Sequence, residues 1–521
     1  MANKTVFGSV SDVVQNLAGG KGYKMTDEHA LVQLAVTGTL QDVFYATAKD
    51  QADQIIALAQ KLPAEFVAKV AVYARTRGFM KDTPALLMCI LASREDGKEA
   101  FRKAFPRVIN NARMLRNFVQ ILRSGKTGRK NLGSMPRRAV QTWLNSASDK
   151  ALLNASVGQS PSLKDIIKLS HPKGATPERV ALYGYLTDGK YDSYKLPAFV
   201  QAFEDFKVVS EGDVPDVDFR LLSNLTLTEK QWGQKALQLP VEALRMNINQ
   251  LARKGAFNDS KVVAGVCAKL RDREAVRAAG TMPVAVLTAY HNLDDTVPAA
   301  VKNALHDMME ITVENVPSFG DKKVAILVDV SGSMGSPMTN GKHTSKTRYV
   351  DIAAAVGCSI WRQNPNAQLI PIDTSVHTHK MSARDSILNN AGVLARFGGG
   401  GTSLDVALAH VKASAPDVVV ILSDNESWAD LTIKGQVYSG YAGGLYGNRT
   451  CMGDRWRDLV AVNPNAKLIC VDLAPYSDLT NKDSTNVLNL GGWTDEMFPL
   501  IASFVNGDQT KWVDAVKAVS L

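Results

Sequence analysis

The sequence predicts an α-helical-repeat body followed by an α/β domain with an open, mostly parallel sheet, and three observations support this fold class. Apolar residues recur at the spacing of helix faces through residues 1–316. After Pro317 the pattern changes to short apolar runs separated by helical stretches, which is typical of parallel strands buried on both faces. Charge divides the chain as well, because residues 1–320 carry 42 basic and 32 acidic side chains and the remainder carries 18 and 19. These shifts predict domains at residues 1–316 and 321–521.

Composition excludes several classes of protein. The chain has 521 residues, of which 45% are hydrophobic and 21% are charged, so disorder or coiled coil along the whole chain is excluded. The first residues contain no apolar signal-peptide core, and no run of about 18 apolar residues occurs that could cross a membrane. The five cysteines are widely spread and form no C-x-x-C pair, which favours a reducing compartment. We therefore expect a cytoplasmic protein.

Helices follow one another through the first domain. Pro63 occupies a first helical position, and Phe66, Val70 and Tyr73 follow at i, i+4 and i+7 of one face. A second helix is predicted to begin at Pro106. Its apolar stripe comprises Val108, Ala112, Leu115, Val119 and Leu122. Further helices are predicted near residues 26–36, 82–94, 162–170, 176–187, 240–253 and 283–314. Short turns and no convincing strand alternation indicate a solenoid of helix pairs.

One basic segment lacks acidic residues. Residues 101–150 hold 12 basic side chains and one acid, Asp149. A face of one charge sign repels itself unless a polyanion neutralises it, whereas a solvated face normally mixes both signs. We therefore predict contact with a polyanion, and a solvated face is the alternative. The residues predicted to make this contact are Arg113, Arg116 and Arg123 on one helix face, together with Arg137 and Arg138.

The second domain alternates strands and helices. Apolar runs predict strands at residues 324–328, 368–372, 418–422 and 467–472. Helices are predicted at residues 348–363, 403–413, 454–461 and 494–506. A stretch rich in glycine and tyrosine, residues 436–453, predicts a long loop.

Oxygen-bearing side chains lie in three of the connections between the predicted strands and helices. Asp329, Ser331 and Ser333 form a D-x-S-x-S motif directly after the first strand. Thr402 follows a run of four glycines, and Asp424 follows a later strand. The carboxyl ends of parallel strands meet at one edge, where open α/β sheets bind ligands, and Mg²⁺ prefers such hard oxygen ligands. The set resembles the metal-ion-dependent adhesion site of von Willebrand factor A domains, so we predict a divalent cation, Mg²⁺, as cofactor.

The sequence shows no set of catalytic residues. Gly125-Lys126-Thr127 ends like a phosphate-binding P-loop, but Gln120 stands where the first glycine belongs. Ordinary hydrolase motifs such as Gly-x-Ser-x-Gly and His-Glu-x-x-His do not occur. We therefore predict a protein that is not an enzyme.

Local strings resemble the Ro autoantigen family of TROVE-domain RNA-binding proteins, in a bacterial form. The segment Ser162-Leu-Lys-Asp-Ile-Ile-Lys-Leu-Ser-His171-Pro-Lys173 is similar to the family helix HKDLLRLSH. The segment Gly133-Ser-Met-Pro-Arg-Arg-Ala-Val140, followed by Trp143, resembles a basic segment upstream of it. The resemblance implies that the HEAT-like helical repeats close into a ring. It also implies small Y-like RNAs on the outer surface, single-stranded 3′ ends in a central hole, and an association with exoribonucleases.

Carried over to this chain, the resemblance places Lys164, Lys168, His171 and Lys173 in the RNA-binding surface. The first three share one helix face, because they are spaced at i, i+4 and i+7. Family members carry a basic segment before this helix, whereas residues 154–158 of this chain contain none. A different RNA geometry, or a structural role of His171 at the helix C-terminus, is the alternative.

Two functions remain open from the sequence. The first is a non-catalytic, monomeric ring that binds Y-like RNA and the 3′ ends of structured or misfolded RNAs, for RNA quality control, maturation or decay. The second is a protein-interaction adaptor in which the A-type domain binds a partner through Mg²⁺. The salt dependence of RNA binding distinguishes them, because only phosphate contacts release counterions.

Overall fold

The computed structural model describes most of the chain, and its residue contacts divide it into two compact units. The described residues are 13–15, 21–24, 26–37, 48–78, 80–157, 161–209, 211–340, 343–424, 452–474, 478–479, 486–492, 497–506 and 512–521. The helical unit comprises Asp53–Ala275, Leu293–Leu305 and Val516–Leu521. The α/β unit comprises Met1–Ala52, Val276–Asn292 and His306–Ala515. The domains drawn at residues 1–316 and 321–521 stay a prediction about which parts fold independently.

Two short strands and eighteen α-helices precede the sheet in the described residues. In chain order they are β1 Val13–Gln15, β2 Lys21–Lys24, α1 Asp27–Thr37, α2 Ala48–Lys61, α3 Ala64–Thr76, α4 Asp82–Ser93, α5 Lys98–Val108, α6 Ala112–Arg123, α7 Ser134–Ser146, α8 Asp149–Ala155, α9 Leu163–Ser170, α10 Pro177–Leu186, α11 Ala198–Val209, α12 Phe219–Leu222, α13 Glu229–Gln238, α14 Val241–Arg253, α15 Ser260–Leu270, α16 Arg273–Ala278, α17 Pro283–His291 and α18 Ala299–Thr312.

Polar side chains fix several helix starts in the helical unit. Ser162 accepts a hydrogen bond from the Asp165 amide, and Asp165 accepts one from the Ser162 amide, which forms a capping box at the start of α9. Thr176 caps α10 with a single hydrogen bond, which its side chain accepts from the Arg179 amide, directly before a proline at the first helical position. The pattern of capping residues before apolar faces explains why these predicted boundaries hold to within a residue or two.

The prediction that a helix begins at Pro106 is wrong. Pro106 lies in the last turn of α5, and a new helix, α6, begins at Ala112. The Asn111 side chain accepts a hydrogen bond from the Met114 amide and so caps this second helix. The apolar spacing continues across the break because both helices bury apolar residues, Val108 from α5 and Leu115 from α6. The helix predicted at residues 283–314 is likewise divided, into α17 and α18.

The expectation that residues 1–316 contain no strand is also wrong. β1 pairs with β2 in antiparallel register, Val13 opposite Tyr23, and β2 pairs with β9, Asp478–Leu479. Strands of three or four residues are too short for a period-two pattern to be recognised. β1 and β2 are neighbours in the chain, but β9, which pairs with the other edge of β2, lies far along it, so local sequence carries no sign of that pairing.

The rest of the α/β unit is built on a five-stranded parallel sheet. In chain order its described elements are β3 Val324–Asp329, β4 Pro337–Asn340, β5 His343–Arg348, α19 Tyr349–Gln363, β6 Ala367–Ile372, α20 Ile387–Leu394, α21 Leu404–Val411, β7 Val418–Ser423, α22 Met452–Val462, β8 Lys467–Asp472, β9, β10 Val487–Gly491, α23 Met497–Val505 and α24 Trp512–Lys517. The sheet order is β10-β8-β7-β3-β6 and every pairing is parallel. The four predicted strands are confirmed, whereas β10 and the β4–β5 hairpin were not predicted.

Helices cover both faces of this sheet. The strands β3 and β7 are buried at every position, as their continuous apolar runs predict. On one face α21 and α22 pack against the strands, with Leu408 and Trp456 among the buried residues. On the other, α19 approaches so closely that a Cβ atom at Gly357 would lie 2.8 Å from a methyl group of Val328. The parallel arrangement brings all five carboxyl ends to one edge.

The predicted fold class is confirmed: helical pairs are followed by an open parallel α/β sheet. Of the predicted loop at residues 436–453, residues 436–451 lie outside the described residues and Met452 begins α22. Within the described part of the chain, no helix is both long and apolar enough to span a bilayer.

Candidate functional site

Asp329 organises the carboxyl edge of the sheet. As the last residue of β3, it is fully buried. Its Oδ1 accepts a hydrogen bond of 2.8 Å from the Ser331 amide, and its Oδ2 accepts one of 2.6 Å from the Ser423 hydroxyl. The Ser331 and Ser333 hydroxyl oxygens lie 3.3 Å apart. The D-x-S-x-S motif therefore turns back on itself, with its three side-chain oxygens in one small loop.

The glycine run brings Thr402 to this loop. The Gly332 amide donates to the Gly400 carbonyl at 2.9 Å, and the Gly399 amide donates to the Val330 carbonyl at 2.9 Å. Gly398 has a φ of +69°, and a Cβ atom there would lie 2.4 Å from the Val330 carbonyl oxygen. Only glycine permits this close approach. Thr402, in the same segment, is buried.

A second acidic residue holds the glycine run from the other side. Asp373 follows β6, and its backbone carbonyl accepts a hydrogen bond of 2.9 Å from the Ser403 amide. One Asp373 carboxylate oxygen lies 2.9 Å from Nε2 of His377, and the other accepts a longer hydrogen bond of 3.4 Å from the Gly400 amide. Asp373 thus positions the segment that bears Thr402, a role the sequence analysis did not predict.

Negative charge accumulates at this edge. Burial, and then the neighbouring carboxylate of Asp424, raise the pKa of Asp329 to about 7, against the hydrogen bonds from Ser423 and Ser331. Burial, followed by Asp472 and Asp424, raises the pKa of Tyr349 to about 12. Asp424 and Asp472 are both buried. Several buried carboxylates at one edge are costly unless a cation lies between them.

The donor set fits a hard divalent cation. The five predicted ligands all offer oxygen and all lie at strand ends or in the segments beside them at this edge: Asp329, Ser331, Ser333, Thr402 and Asp424. No group of three or more His, Cys, Asp or Glu side chains suited to a metal occurs among the described residues, so a histidine- or thiol-rich centre finds no support there. Mg²⁺ binding by these five residues stays a prediction.

The helical unit contains a large basic cavity. Its volume is about 1410 Å³, and helices α5 to α8 and α12 to α14 contribute to its wall. This volume exceeds the roughly 300–1,000 Å³ of small-molecule sites. The cationic residues in the wall are Arg102, Arg113, Arg116, Arg138, Arg220 and Lys235. Apolar wall residues include Phe105, Trp143 and Met246, and Met246 is 74% exposed.

The cations of the cavity differ in how they are held. Arg116 donates to the carbonyls of Ala155 and Val157 at 3.2 and 3.1 Å, so it holds the end of α8. Arg220 pairs with Asp218 at 2.9 Å. Arg102, Arg113 and Arg138, all exposed, show no hydrogen bond or ion pair to any described residue.

The other predicted RNA-binding arginines lie outside this cavity. Arg123 is exposed at the end of α6, ten residues and therefore about 15 Å along the axis from Arg113. Arg137 is exposed on α7 but does not line the cavity wall. The structure therefore brings together only Arg113, Arg116 and Arg138 of the five.

The residues carried over from the family helix lie on and after α9. Lys164 pairs with Asp188, whereas Lys168, His171 and Lys173 are exposed. His171 ends the helix in the left-handed region, with φ of 51° and ψ of 59°. Its carbonyl accepts a hydrogen bond of 3.3 Å from Gln141. None of these four residues lines the cavity.

Sequence reasoning missed a second group of cations beside the cavity. Arg75 donates to Oδ1 of Asn110, a cavity residue, through Nε at 3.1 Å and Nη2 at 2.9 Å. Lys81 lies near both Arg75 and Arg113: partial burial lowers its pKa most, Arg113 and Arg75 lower it further, and Asp82 raises it. Arg75 and Lys81 precede the acid-free segment, and only the fold brings them to it.

The fold and the two sites define a helical-repeat protein that carries an α/β domain with an oxygen-lined edge. Within that class the chain is similar to the Ro proteins, so the predicted resemblance is confirmed. It is 25% identical over 455 residues to "RNA-binding protein RO60" of Deinococcus radiodurans, across 80% of this chain and 84% of that protein. The crystal structure of the D. radiodurans Ro (Rsr) protein superposes with a TM-score of 0.65 at 19% identity, over 93% of this chain and all of that one. No family model matches the chain.

Proposed function

We propose that this protein is a non-catalytic RNA-binding protein whose helical unit binds single-stranded RNA in the basic cavity. The observation that carries the proposal is the set of exposed arginines without protein partners, Arg102, Arg113 and Arg138, in one cavity wall. A protein gains nothing in stability from unpaired cations in a concave surface, whereas phosphates would neutralise them. The similarity to an RNA-binding protein of D. radiodurans supports the same class of ligand.

The cavity also offers surfaces for bases. Trp143 and Met246 line it together with the arginines, and unpaired bases stack on aromatic and apolar side chains. Phosphate contacts would supply affinity without sequence preference. We propose that the ligands are the single-stranded 3′ ends of structured or misfolded RNAs. Lys168, His171 and Lys173 would bind a Y-like stem on a separate surface.

This division fits a role in cytoplasmic RNA quality control, maturation or decay. If the protein is not an enzyme, as we propose, another protein processes the RNA end that the cavity holds. An exoribonuclease is the class of partner that consumes such an end. The four described free cysteines are all buried, which agrees with a reducing compartment.

The salt dependence of binding tests the cavity directly. Arg102, Arg113 and Arg138 are replaced together by Gln, which keeps helix propensity. Each lost phosphate contact should flatten the slope of log K against log salt by about 0.7 for single strands, so the triple variant should lose about two units. Fluorescence anisotropy with unrelated single-stranded RNAs measures both affinity and slope.

A matched control removes charge elsewhere on the same unit. Lys61, Lys230 and Lys261 are exposed and lie outside the cavity wall, so the replacement of all three by Gln should leave the slope nearly unchanged. Equal losses in both variants would mean that net charge, and not the cavity, binds RNA. An unchanged slope in the arginine variant would contradict the proposal.

A second candidate function is a metal-dependent adaptor. The buried carboxylates at the sheet edge favour it, because Mg²⁺ held there by two carboxylates and three hydroxyls would keep a position for a partner's carboxylate. If the protein is such an adaptor, a partner protein that co-purifies with it should dissociate in EDTA and bind again when Mg²⁺ is added. Retention of the partner in EDTA would exclude the adaptor function.

A further inference from the structure

We propose that the helical unit recognises the phosphorylated end of an RNA strand, through a cluster formed by Arg75, Lys81 and Arg113 at the edge of the cavity. This cluster is called the end-phosphate cluster below. The inference rests on the proposed RNA binding and adds to it the chemical class of the strand end. The ligand chemistry is a phosphomonoester dianion, at either the 5′ or the 3′ end.

Arg75 is fixed before any ligand arrives. Its Nε and Nη2 donate to Oδ1 of Asn110, and its Nη1 donates to the Met80 carbonyl at 3.3 Å. A guanidinium has five N–H groups, so two remain for a ligand. Asn110 lies in the cavity wall, so the hydrogen bonds hold the guanidinium beside that wall. An arginine held in this way loses little conformational freedom when it binds an anion.

The side chains of Lys81 and Arg113 are not held by polar contacts within the described part of the protein. Neither shows a hydrogen bond or ion pair to any residue within the described ranges. Arg75 donates to the carbonyl of Met80, directly before Lys81, and Asn117 of α6 donates to Asp82, directly after it, so Lys81 lies near Arg75 and near the helix that bears Arg113. Both arginines disfavour the charged form of Lys81. Three cations held near one another cost free energy in the absence of an anion. The arrangement therefore favours a ligand that carries more than one negative charge.

The local charge matches a phosphomonoester better than a phosphodiester. Asp82 is the carboxylate that acts on Lys81, and its Oδ1 already accepts a hydrogen bond of 2.5 Å from Asn117. Three cations and one carboxylate leave two positive charges. A terminal phosphate carries about −1.5 to −2 charges at neutral pH, whereas a phosphodiester within a strand carries one.

The start of α6 adds to the positive potential. Arg113 is the second residue of this helix, and its first turn contains no acid. The N-terminus of a helix carries a partial positive charge that normally attracts acidic side chains, so an arginine there is unfavourable by itself. A bound anion would reverse the sign of that interaction. Because Arg113 also lines the cavity, one strand would place its bases in the cavity and its terminal phosphate on the cluster.

The experiment compares one single-stranded RNA sequence with hydroxyl ends, with a 5′-phosphate and with a 3′-phosphate, by fluorescence anisotropy on the full chain. One phosphorylated form should bind about tenfold more tightly than the hydroxyl form, as one or two extra charge-assisted contacts would give. Lys81→Gln should abolish this preference, and Lys81→Arg should keep it. Circular dichroism verifies that both variants are folded.

Arg138→Gln is the matched control, because Arg138 lines the cavity outside the cluster. It should weaken the binding of all three RNAs by the same factor and leave their ratio unchanged. Equal affinity of the three RNAs for the unmodified chain would overturn the end-phosphate cluster while leaving RNA binding intact. Absence of binding to all three would instead overturn the proposed function.

Discussion

Asp329 joins the end of β3 to its own serine-bearing loop and to Ser423 at the end of β7, and its protonation should control the metal site. Burial and Asp424 raise its pKa to about 7, whereas Mg²⁺ binds the ionised carboxylate. Asp424 is the charged group that acts on Asp329, and Asp424 together with Asp472 also acts on Tyr349 at the same edge. A proton and Mg²⁺ therefore compete for the same oxygen atoms in the neutral range.

We expect Mg²⁺ affinity to fall by up to about tenfold per pH unit below this pKa. The metal-free protein should respond in the opposite sense. An acid with a raised pKa binds more protons in the folded than in the unfolded state, so the free energy of unfolding should increase as pH falls from about 7 towards 4. Calorimetric Mg²⁺ titrations and urea unfolding at several pH values measure the two effects. Binding and metal-free stability that do not change over this range would contradict the assignment.

Arg113 and Arg116 share a helix face but should behave differently when replaced. Arg116→Gln removes two hydrogen bonds to the carbonyls of Ala155 and Val157, so we expect a loss of about 1–3 kcal/mol in the free energy of unfolding. Arg113→Gln should change stability by less than about 0.5 kcal/mol, because the side chain is exposed and unpaired. Urea unfolding of both variants checks this difference. Equal stabilities would mean that the Arg116 contacts contribute nothing.

At the scale of helices, basic side chains repeatedly hold the C-terminal carbonyls of a neighbouring helix. Each of them donates to two carbonyls near a helix end: Arg94 serves α2, Arg116 serves α8, Arg179 serves α7 and Lys269 serves α13. The last carbonyls of a helix have no partner within it, and cations favour that end of the dipole. Part of the basic excess of the helical unit is therefore structural.

The end of α9 offers a test of His171. A residue other than glycine in the left-handed region costs about 1–2 kcal/mol, so His171→Gly should raise stability by about 1 kcal/mol. If the imidazole also contacts a Y-like stem, the same substitution should weaken stem binding while affinity for a single-stranded tail is unchanged. Thermal unfolding and gel shifts with the two RNAs measure these effects. Higher stability with unchanged stem affinity would leave the histidine without a role in RNA binding.

An element can be predicted from the sequence when the interactions that determine it lie within that segment of the chain. The strands β3, β6, β7 and β8 were predicted because burial on both faces leaves a continuous apolar run. The break between α5 and α6 was not predicted, because apolar spacing continues across it. The capping role of Asn111 becomes visible only in the structure. The same holds for Arg116, whose partners lie about 40 residues along the chain.

The two candidate sites differ in the same way. Asp329, Ser331 and Ser333 lie within five residues of each other, and parallel strands bring the other predicted ligands to the same edge, so a sequence pattern was sufficient. The end-phosphate cluster instead depends on the packing of Arg75 against Asn110, 35 residues apart. No local pattern marks such a pair. Asp373, which holds the glycine run, likewise depends on the neighbouring positions of β3 and β6.

For the molecule as a whole, we expect metal binding and RNA binding to be separable. The candidate metal ligands all belong to the α/β unit and the cavity belongs to the helical unit. Asp329→Ala or Asp424→Ala should remove Mg²⁺ binding and the stabilisation that it confers, about 2.7 kcal/mol at a hundredfold excess over Kd, without changing RNA affinity. Calorimetry, thermal unfolding and gel shifts measure the three quantities. A parallel loss of RNA affinity in a folded variant would contradict the separation.

The pairing of β2 with β9 has a consequence for the synthesis of this chain on the ribosome. Lys24 lies opposite Asp478, about 450 residues later. At about 5–20 residues per second, that partner emerges roughly 20–90 seconds after the strand it joins. During this interval β1 and β2 have an unpaired edge, and such edges recruit other strands. The nascent chain is therefore most exposed to wrong pairing at its beginning, and a chaperone that binds early would be of most use there.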